Sequence, residues 1–239
     1  MAKIGLIGCG MWGQKLARNL ARLDVLTAVA DHNAEAAKKF ASDFNVNALT
    51  VEALMTDKNI NGIVIATSAP SHKELAIRAL EAGKHLYVEK PLALSLAGAL
   101  AINVAAKKTN KQVMVGHLIR YHAAFIELQK QIKSGTIGAL RHIQANRLAL
   151  GRVRTTESVL FDLCPHDLSL ILALTDEQPS DIHCSGASHI TPGVVDYLSS
   201  FFGFKSGISA SMQTSWLSPF KEHKLTVTGT NGALVFDDT

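Results

Sequence analysis

The chain has 239 residues, which against the ~150 of a typical domain makes one large domain or two small ones. Hydrophobic residues make up 47% and charged residues 18%, a balance that supports a core and excludes disorder, collagen and coiled coil. A net charge of +4 without a clustered basic run argues against nucleic acid or membrane as a partner and leaves small anionic ligands open. The cysteines, Cys9, Cys164 and Cys184, are too scattered for a disulfide framework or a CxxC zinc site. The opening run is too short and glycine-rich for a signal peptide or membrane span, so a reducing, cytoplasmic location is expected.

The first half alternates short aliphatic runs with amphipathic segments, the pattern of parallel strands covered by helices. Strands are predicted over 4–7, 25–30, 63–66, 85–88 and 113–115. Between them, helices are predicted over 12–22, 33–44, 70–82 and 95–108. In the first of these Leu16 and Leu20 lie four apart beside Ala17 and Ala21; the third carries Pro70 at its start and Gly83 past its end. Beyond Gly116 the alternation stops. One helix (123–133) precedes the strand-like run 140–148, a second helix covers 162–174, and further strand-like runs follow at 182–190, 197–204, 208–216, 225–229 and 234–236. Residues 203–207 and 219–223 are read as joins. The expected fold class is α/β: a doubly wound parallel sheet over 1–118, then an α+β domain over 119–239 with a mostly antiparallel sheet. Apolar alternation at Phe202, Phe204, Ile208 and Trp216 suggests an exposed sheet face that a homodimer or homotetramer would cover.

Gly8-Cys9-Gly10-Met11-Trp12-Gly13 is a GxGxxG between a predicted strand and a predicted helix. The first glycine permits the tight turn, the second a close approach of backbone to a pyrophosphate, and the third close helix packing, with the helix N-terminus facing the anion. Strand two ends at Asp31, 21 residues after Gly10, where a carboxylate can accept bonds from ribose hydroxyls. Asp31 would repel a 2′-phosphate and His32 and Asn33 follow it, so NAD is expected ahead of NADP. The competing reading has the glycines serving only a turn and Asp31 capping the next helix.

Glu89-Lys90-Pro91 ends a buried strand with a carboxylate, an ammonium and a rigid turn, at the edge where open α/β sheets bind ligands. The alternative is a solvated strand end. In the second half Asp162 and His166 lie four apart and so share a helical face, where the carboxylate can orient an imidazole that exchanges a proton. The competing reading is a helix cap and a packing histidine. Arg120, Arg147, Arg152 and Arg154 are cation candidates for an anionic substrate, or ordinary surface arginines. The other histidines, among them His142, His183 and His189, have no metal-ligand spacing, and no metal is expected.

The glycine fingerprint with Glu89-Lys90-Pro91, its lead-in 81–88, Gly116-His117 and Asp162-Leu163-Cys164-Pro165-His166-Asp167 together resemble the Gfo/Idh/MocA oxidoreductase family over essentially the whole chain. Gly116-His117-Leu118-Ile119-Arg120-Tyr121, Asn146-Arg147, Gly151-Arg152, Ser215-Trp216-Leu217-Ser218-Pro219 with Lys221, and 225–229 look similar to its sugar-nucleotide 3-dehydrogenases. The resemblance implies hydride transfer from a secondary sugar hydroxyl, preferably of a nucleotide sugar, to NAD. It implies Lys90, Asp162 and His166 as catalytic, with His166 favoured as base and Lys90 as hydrogen-bond donor, although either could take the proton. It implies cofactor contacts from Gly8, Gly10, Met11, Trp12, Gly13, Asp31, His32, Thr67, Ser68, His72, Glu89, Lys90 and His117, and substrate contacts from Arg120, Tyr121, Arg152, Arg154 and Asp167. The alternatives are an NAD-dependent glycoside hydrolase of the same superfamily and a non-catalytic NAD(H)-binding protein. Three departures stand out: Ser169 where many members carry aspartate, His122 where the subgroup has asparagine, and an end at Thr239 that suggests C-terminal truncation.

Overall fold

The computed structural model describes residues 2–151, 153–155 and 157–239. The chain divides into two units, Met1–Gly116 and His117–Thr239. In order, the first contains β1 (Ile4–Ile7), α1 (Met11–Arg22), β2 (Leu26–Ala30), α2 (Ala34–Phe44), β3 (Asn47–Ala48), α3 (Val51–Thr56), β4 (Gly62–Ile65), α4 (Ala69–Glu81), β5 (His85–Val88), α5 (Leu96–Thr109) and β6 (Val113–Val115). The strands pair in parallel in the order β3-β2-β1-β4-β5-β6. This is the doubly wound arrangement, whose order reverses between β1 and β4 and leaves a crevice at the carboxyl ends of those strands.

Both sheet faces are covered, which explains why these strands read as unbroken aliphatic runs. Ile7, Ala30, Ile63, Ile65, Leu86 and Val88 point to one side and pack with Ala76, Leu80 and Ile102; Leu6, Val29 and Val64 point to the other and pack with Ala17 and Phe40. Local chemistry sets the helix ends. Asn33 starts α2 by accepting from the N–H groups of Glu35 and Ala36, and Ser95 starts α5 by accepting from Gly98. Asn45 and Asn110 end the same two helices at φ 53°. The short helix α3, capped by Thr50, and the two-residue β3 are additions to the predicted elements; both are too short to show a period.

The second unit opens with a 3-10 turn (Leu118–Tyr121) and continues with α6 (Ala123–Lys133), β7 (Leu140–Leu150), α7 (Val159–Asp162), α8 (Cys164–Thr175), β8 (Asp181–Ala187), β9 (Tyr197–Gly203), β10 (Ser209–Ser215), β11 (Leu217–Gly229) and β12 (Ala233–Asp237). The sheet order is β12-β11-β7-β10-β9-β8. Only the β7–β10 pair is parallel, so the sheet is mostly antiparallel, as expected. Phe125 and Leu128 of α6 and Leu170 and Ile171 of α8 pack over Ile143, Ala145, Phe202, Ala210, Met212 and Val227.

Three expectations are corrected here. Phe202, Phe204 and Trp216 are 5%, 5% and 2% exposed, and Ile208 packs partly buried against the same cluster, so these residues form the core and not a bare face. The predicted join at 219–223 lies inside β11, where a register shift between Leu217 and Glu222 absorbs Pro219 without ending the strand. The helix predicted over 162–174 is two helices that meet at Leu163. Among the described residues no helix is long and apolar enough to cross a membrane.

Candidate active site

In the first unit the candidate residues follow the carboxyl ends of β1, β2, β4 and β5. Gly8 leaves β1 at φ +107°, and a Cβ there would lie 2.6 Å from the Ala66 carbonyl oxygen. A Cβ on Gly13 would meet the Gly8 carbonyl oxygen at 1.9 Å, so α1 seats against the turn only because Gly13 has no side chain. Gly10 differs: a Cβ there would have nothing within 4 Å. Its role is therefore outward, leaving bare backbone at the start of α1, which has no side-chain cap. That open glycine between two sterically required ones suits a dinucleotide pyrophosphate.

Asp31 links the end of β2 to this turn. One carboxylate oxygen accepts from the Cys9 N–H at 2.7 Å and the other from the Asn33 N–H at 2.9 Å, with His32 Nδ1 2.8 Å from the latter. The helix cap is Asn33, so Asp31 does not cap α2 as the competing reading had it. Burial, and then the Asp31 charge, push the Cys9 thiol up to about 11, which keeps it protonated near neutral pH. Met11 and His32 are exposed, and Trp12 is half-buried with Lys15 Nζ 4.7 Å from its ring centre.

Beyond β4, the Thr67 and Ser71 hydroxyls lie 2.7 Å apart and the Ser71 hydroxyl donates to the Ser68 carbonyl. His72, in the first turn of α4, is buried. Beyond β5, Glu89 is 6% exposed; it accepts from the Tyr87 hydroxyl at 2.8 Å and from the Lys90 N–H at 3.3 Å. Gly116 makes room for this pair, since a Cβ there would sit 2.7 Å from Tyr87 Oη and 2.8 Å from Glu89 Oε1. Lys90 itself is half-buried, and the Lys90–Pro91 peptide bond is cis. Tyr87 is absent from the sequence-predicted site; its spacing of two from Glu89 on a strand was the available signal.

In the second unit His117 precedes the 3-10 turn, on which Arg120 and Tyr121 are exposed. Asp162 ends α7, while His166 lies in the first turn of α8. The break at Leu163 removes the basis for placing the two on one helical face. Asp162 accepts from the Trp216 indole N–H at 3.1 Å and from Arg154 Nη2 at 3.3 Å. Arg152 lies outside the described residues. Arg147 and Asp167 form a two-pronged pair, Nε to Oδ2 at 2.8 Å and Nη2 to Oδ1 at 2.9 Å, with side chains 5% and 3% exposed. The structure thus places Asp167, expected as a substrate contact, in the interior as the anchor of α8 to β7. Nothing in the spacing of 147 and 167 points to that pair.

The two residues that depart from the family pattern, Ser169 and His122, have local partners. The Ser169 hydroxyl donates to the His166 carbonyl at 2.6 Å, and His122 caps α6 by accepting from the Ala124 N–H. His223 is shifted toward its neutral form, first by burial and then by Arg147 and Lys221. Among the described residues no cluster of His, Cys, Asp or Glu could hold a metal ion.

Comparison with known proteins agrees with both halves. Residues 2–117 match the model of an oxidoreductase family with an NAD-binding Rossmann fold, and residues 125–235 match the Gfo/Idh/MocA C-terminal domain. A UDP-N-acetylglucosamine 3-dehydrogenase of Acidithiobacillus ferrooxidans is 30% identical over 215 residues, covering 89% of this chain and 66% of the relative. An inositol 2-dehydrogenase of Acidothermus cellulolyticus is 31% identical over 189 residues, covering 75% and 55%. The chain therefore spans less than two-thirds of the length of either relative. A crystal structure of the Acidithiobacillus enzyme superposes with a TM-score of 0.89 at 28% identity, over 98% of this chain and 76% of that one.

Proposed function

Because the chain belongs to the Gfo/Idh/MocA oxidoreductase family, we propose that it is an NAD-dependent dehydrogenase acting on a secondary hydroxyl of a sugar, with nucleotide sugars the favoured class. The observation that carries this reading is the shared sheet edge: the open Gly10 backbone follows β1, and Lys90 follows β5 of the same sheet. Likeness to a dehydrogenase of a UDP-linked sugar supports the nucleotide-sugar choice.

Gly8, Gly10 and Gly13 would hold the dinucleotide backbone, and Asp31, already oriented by the Cys9 and Asn33 N–H groups, would receive a ribose hydroxyl. Bound NAD supplies the hydride acceptor. His166 takes the hydroxyl proton, as an imidazole is suited to do near neutral pH. Lys90 donates a hydrogen bond to the substrate oxygen; its backbone is restrained by Glu89, which Tyr87 holds in turn. Asp162 is held in place by hydrogen bonds from the Arg154 guanidinium and the Trp216 indole. Arg120 and Arg154 are the described cations proposed to meet substrate phosphate or carboxylate groups.

The test is NADH formation across free sugars, polyols and UDP-sugars, with Lys90→Ala and His166→Ala alongside. Each variant is expected to lower kcat by about 100-fold or more while still binding NADH. Near-normal turnover by both overturns the assignment. Tight NADH binding without turnover on any sugar favours a binding protein, and glycoside cleavage without NADH accumulation favours the hydrolase reading.

A further inference from the structure

His72 stands apart from the other residues expected to touch the cofactor. Its ring is 1% exposed, and both ring nitrogens face backbone carbonyls: Nδ1 lies 2.7 Å from the Pro91 oxygen and Nε2 lies 3.1 Å from the Thr67 oxygen. Those carbonyls belong to two loops at the carboxyl edge of the first sheet. Thr67 lies between β4 and α4, and Pro91 directly follows Lys90. Neither carbonyl is part of a strand, and one ring N–H can satisfy one of the two oxygens; the shorter contact marks the Pro91 oxygen as the acceptor, with the Thr67 carbonyl beside the other ring nitrogen.

We propose that His72 is a positioning residue that ties the Lys90–Pro91 turn to the loop after β4 and so fixes where the Lys90 side chain starts. The Lys90 backbone is then held from both directions. On its N-terminal side, Glu89 accepts the Lys90 N–H and is itself held by the Tyr87 hydroxyl. On its C-terminal side, His72 holds the Pro91 carbonyl. Lysine has a long flexible stem, so its ammonium is placed only as well as the backbone beneath it. The ring is buried with each nitrogen facing a loop carbonyl, and His72 therefore acts through Lys90 and not on the dinucleotide. The inference rests on the proposed function only insofar as it assigns Lys90 to the chemistry; the mechanical tie itself is independent of that reading.

The test uses His72→Ala and His72→Gln, whose amide N–H can still donate to one carbonyl. The first readout needs neither cofactor nor turnover: the rate of reductive methylation of Lys90, measured by mass spectrometry relative to the exposed Lys107 and Lys108. His72→Ala is expected to raise the relative rate about fivefold, and His72→Gln to bring it back to within about twofold of the parent. The second readout is kinetic. With a substrate found in the sugar panel, His72→Ala is expected to lower kcat about 100-fold with KM for NAD changed by less than about threefold, and His72→Gln to recover at least about tenfold of that loss.

An unchanged Lys90 labelling rate overturns the proposal, as does a raised KM for NAD with normal kcat, which would mark a direct cofactor contact. A fall in melting temperature with kcat and labelling unaltered would assign His72 to stability alone and also overturns it. If His72→Ala does not fold, His72→Gln carries both readouts, with about a tenfold fall in kcat expected. If the parent protein oxidises nothing in the panel, the proposed function fails while the labelling arm still decides the role of His72.

Discussion

Replacing each fingerprint glycine by alanine separates two physical roles that look alike in the sequence. At Gly13 the added methyl would lie 1.9 Å from a backbone oxygen, so α1 must move. Gly13→Ala is expected to cost about 1–3 kcal/mol in urea denaturation and to lose NADH binding with it. Gly10 has open space and an extended backbone at φ −81°, ψ −174°. Gly10→Ala should therefore stay within about 1 kcal/mol of the parent in stability yet bind NADH at least about tenfold more weakly in a fluorescence titration. A Gly10→Ala protein with unaltered affinity would remove the pyrophosphate from that position. Such residues were legible because a turn requirement is local. The partners of Asp31, His72 and Asp167 were not, because each contact is made by a chain segment that pattern reading cannot place. Asp31 was expected at a ribose and is also the tether of the Cys9 backbone; Asp167 was expected at substrate and is paired inside.

At the scale of elements, the segment from Asp162 to His166 spans two helices where the sequence predicts one. A separation of four predicts a shared face only along one uninterrupted helix, and Pro165 at the start of α8 favours a new helix over continuation of α7. Besides the packing of Leu170 and Ile171, the Arg147–Asp167 pair joins the first turn of α8 to β7. Breaking a buried pair leaves an unmatched charge, whereas replacing both partners removes the problem. Asp167→Asn is expected to destabilise the protein by about 3–5 kcal/mol in denaturant melts, and Arg147→Met paired with Asp167→Leu by much less. Equal losses in the single and double variants would contradict this account. Helices and strands with a full amphipathic or aliphatic pattern were all legible. The elements that were missed or misjoined are α3, β3, the α7–α8 break and the passage of β11 through Pro219. All depend on a few residues whose state is decided by pairing or packing and not by period.

For the molecule as a whole, the two sheets explain the change of pattern near Gly116. A parallel sheet covered on both faces makes aliphatic strands, and a sheet covered on one face makes alternating ones. The oligomer proposed from the sequence now rests on different residues: with Phe202, Phe204 and Trp216 in the core, the uncovered face of the second sheet presents Tyr197, Phe201 and Val235, exposed by 36%, 43% and 60%. A homodimer or homotetramer formed through this face predicts that sedimentation analysis finds no monomer at micromolar concentration and that Phe201→Glu releases it; a monomeric parent protein would refute the proposal. The amino-acid sequence by itself determined the α/β character, the winding of the first sheet, the glycine turn with Asp31, and the Lys90 segment, because hydrophobic period and turn chemistry act over a few neighbouring residues. Tertiary structure alone decided which face of the second sheet is buried, that Asp167 is spent on Arg147, and that His72 ties the Lys90 turn to the loop after β4. Those outcomes depend on contacts between residues 19 or 20 positions apart and on which side of a sheet the helices settle, and no local pattern encodes either.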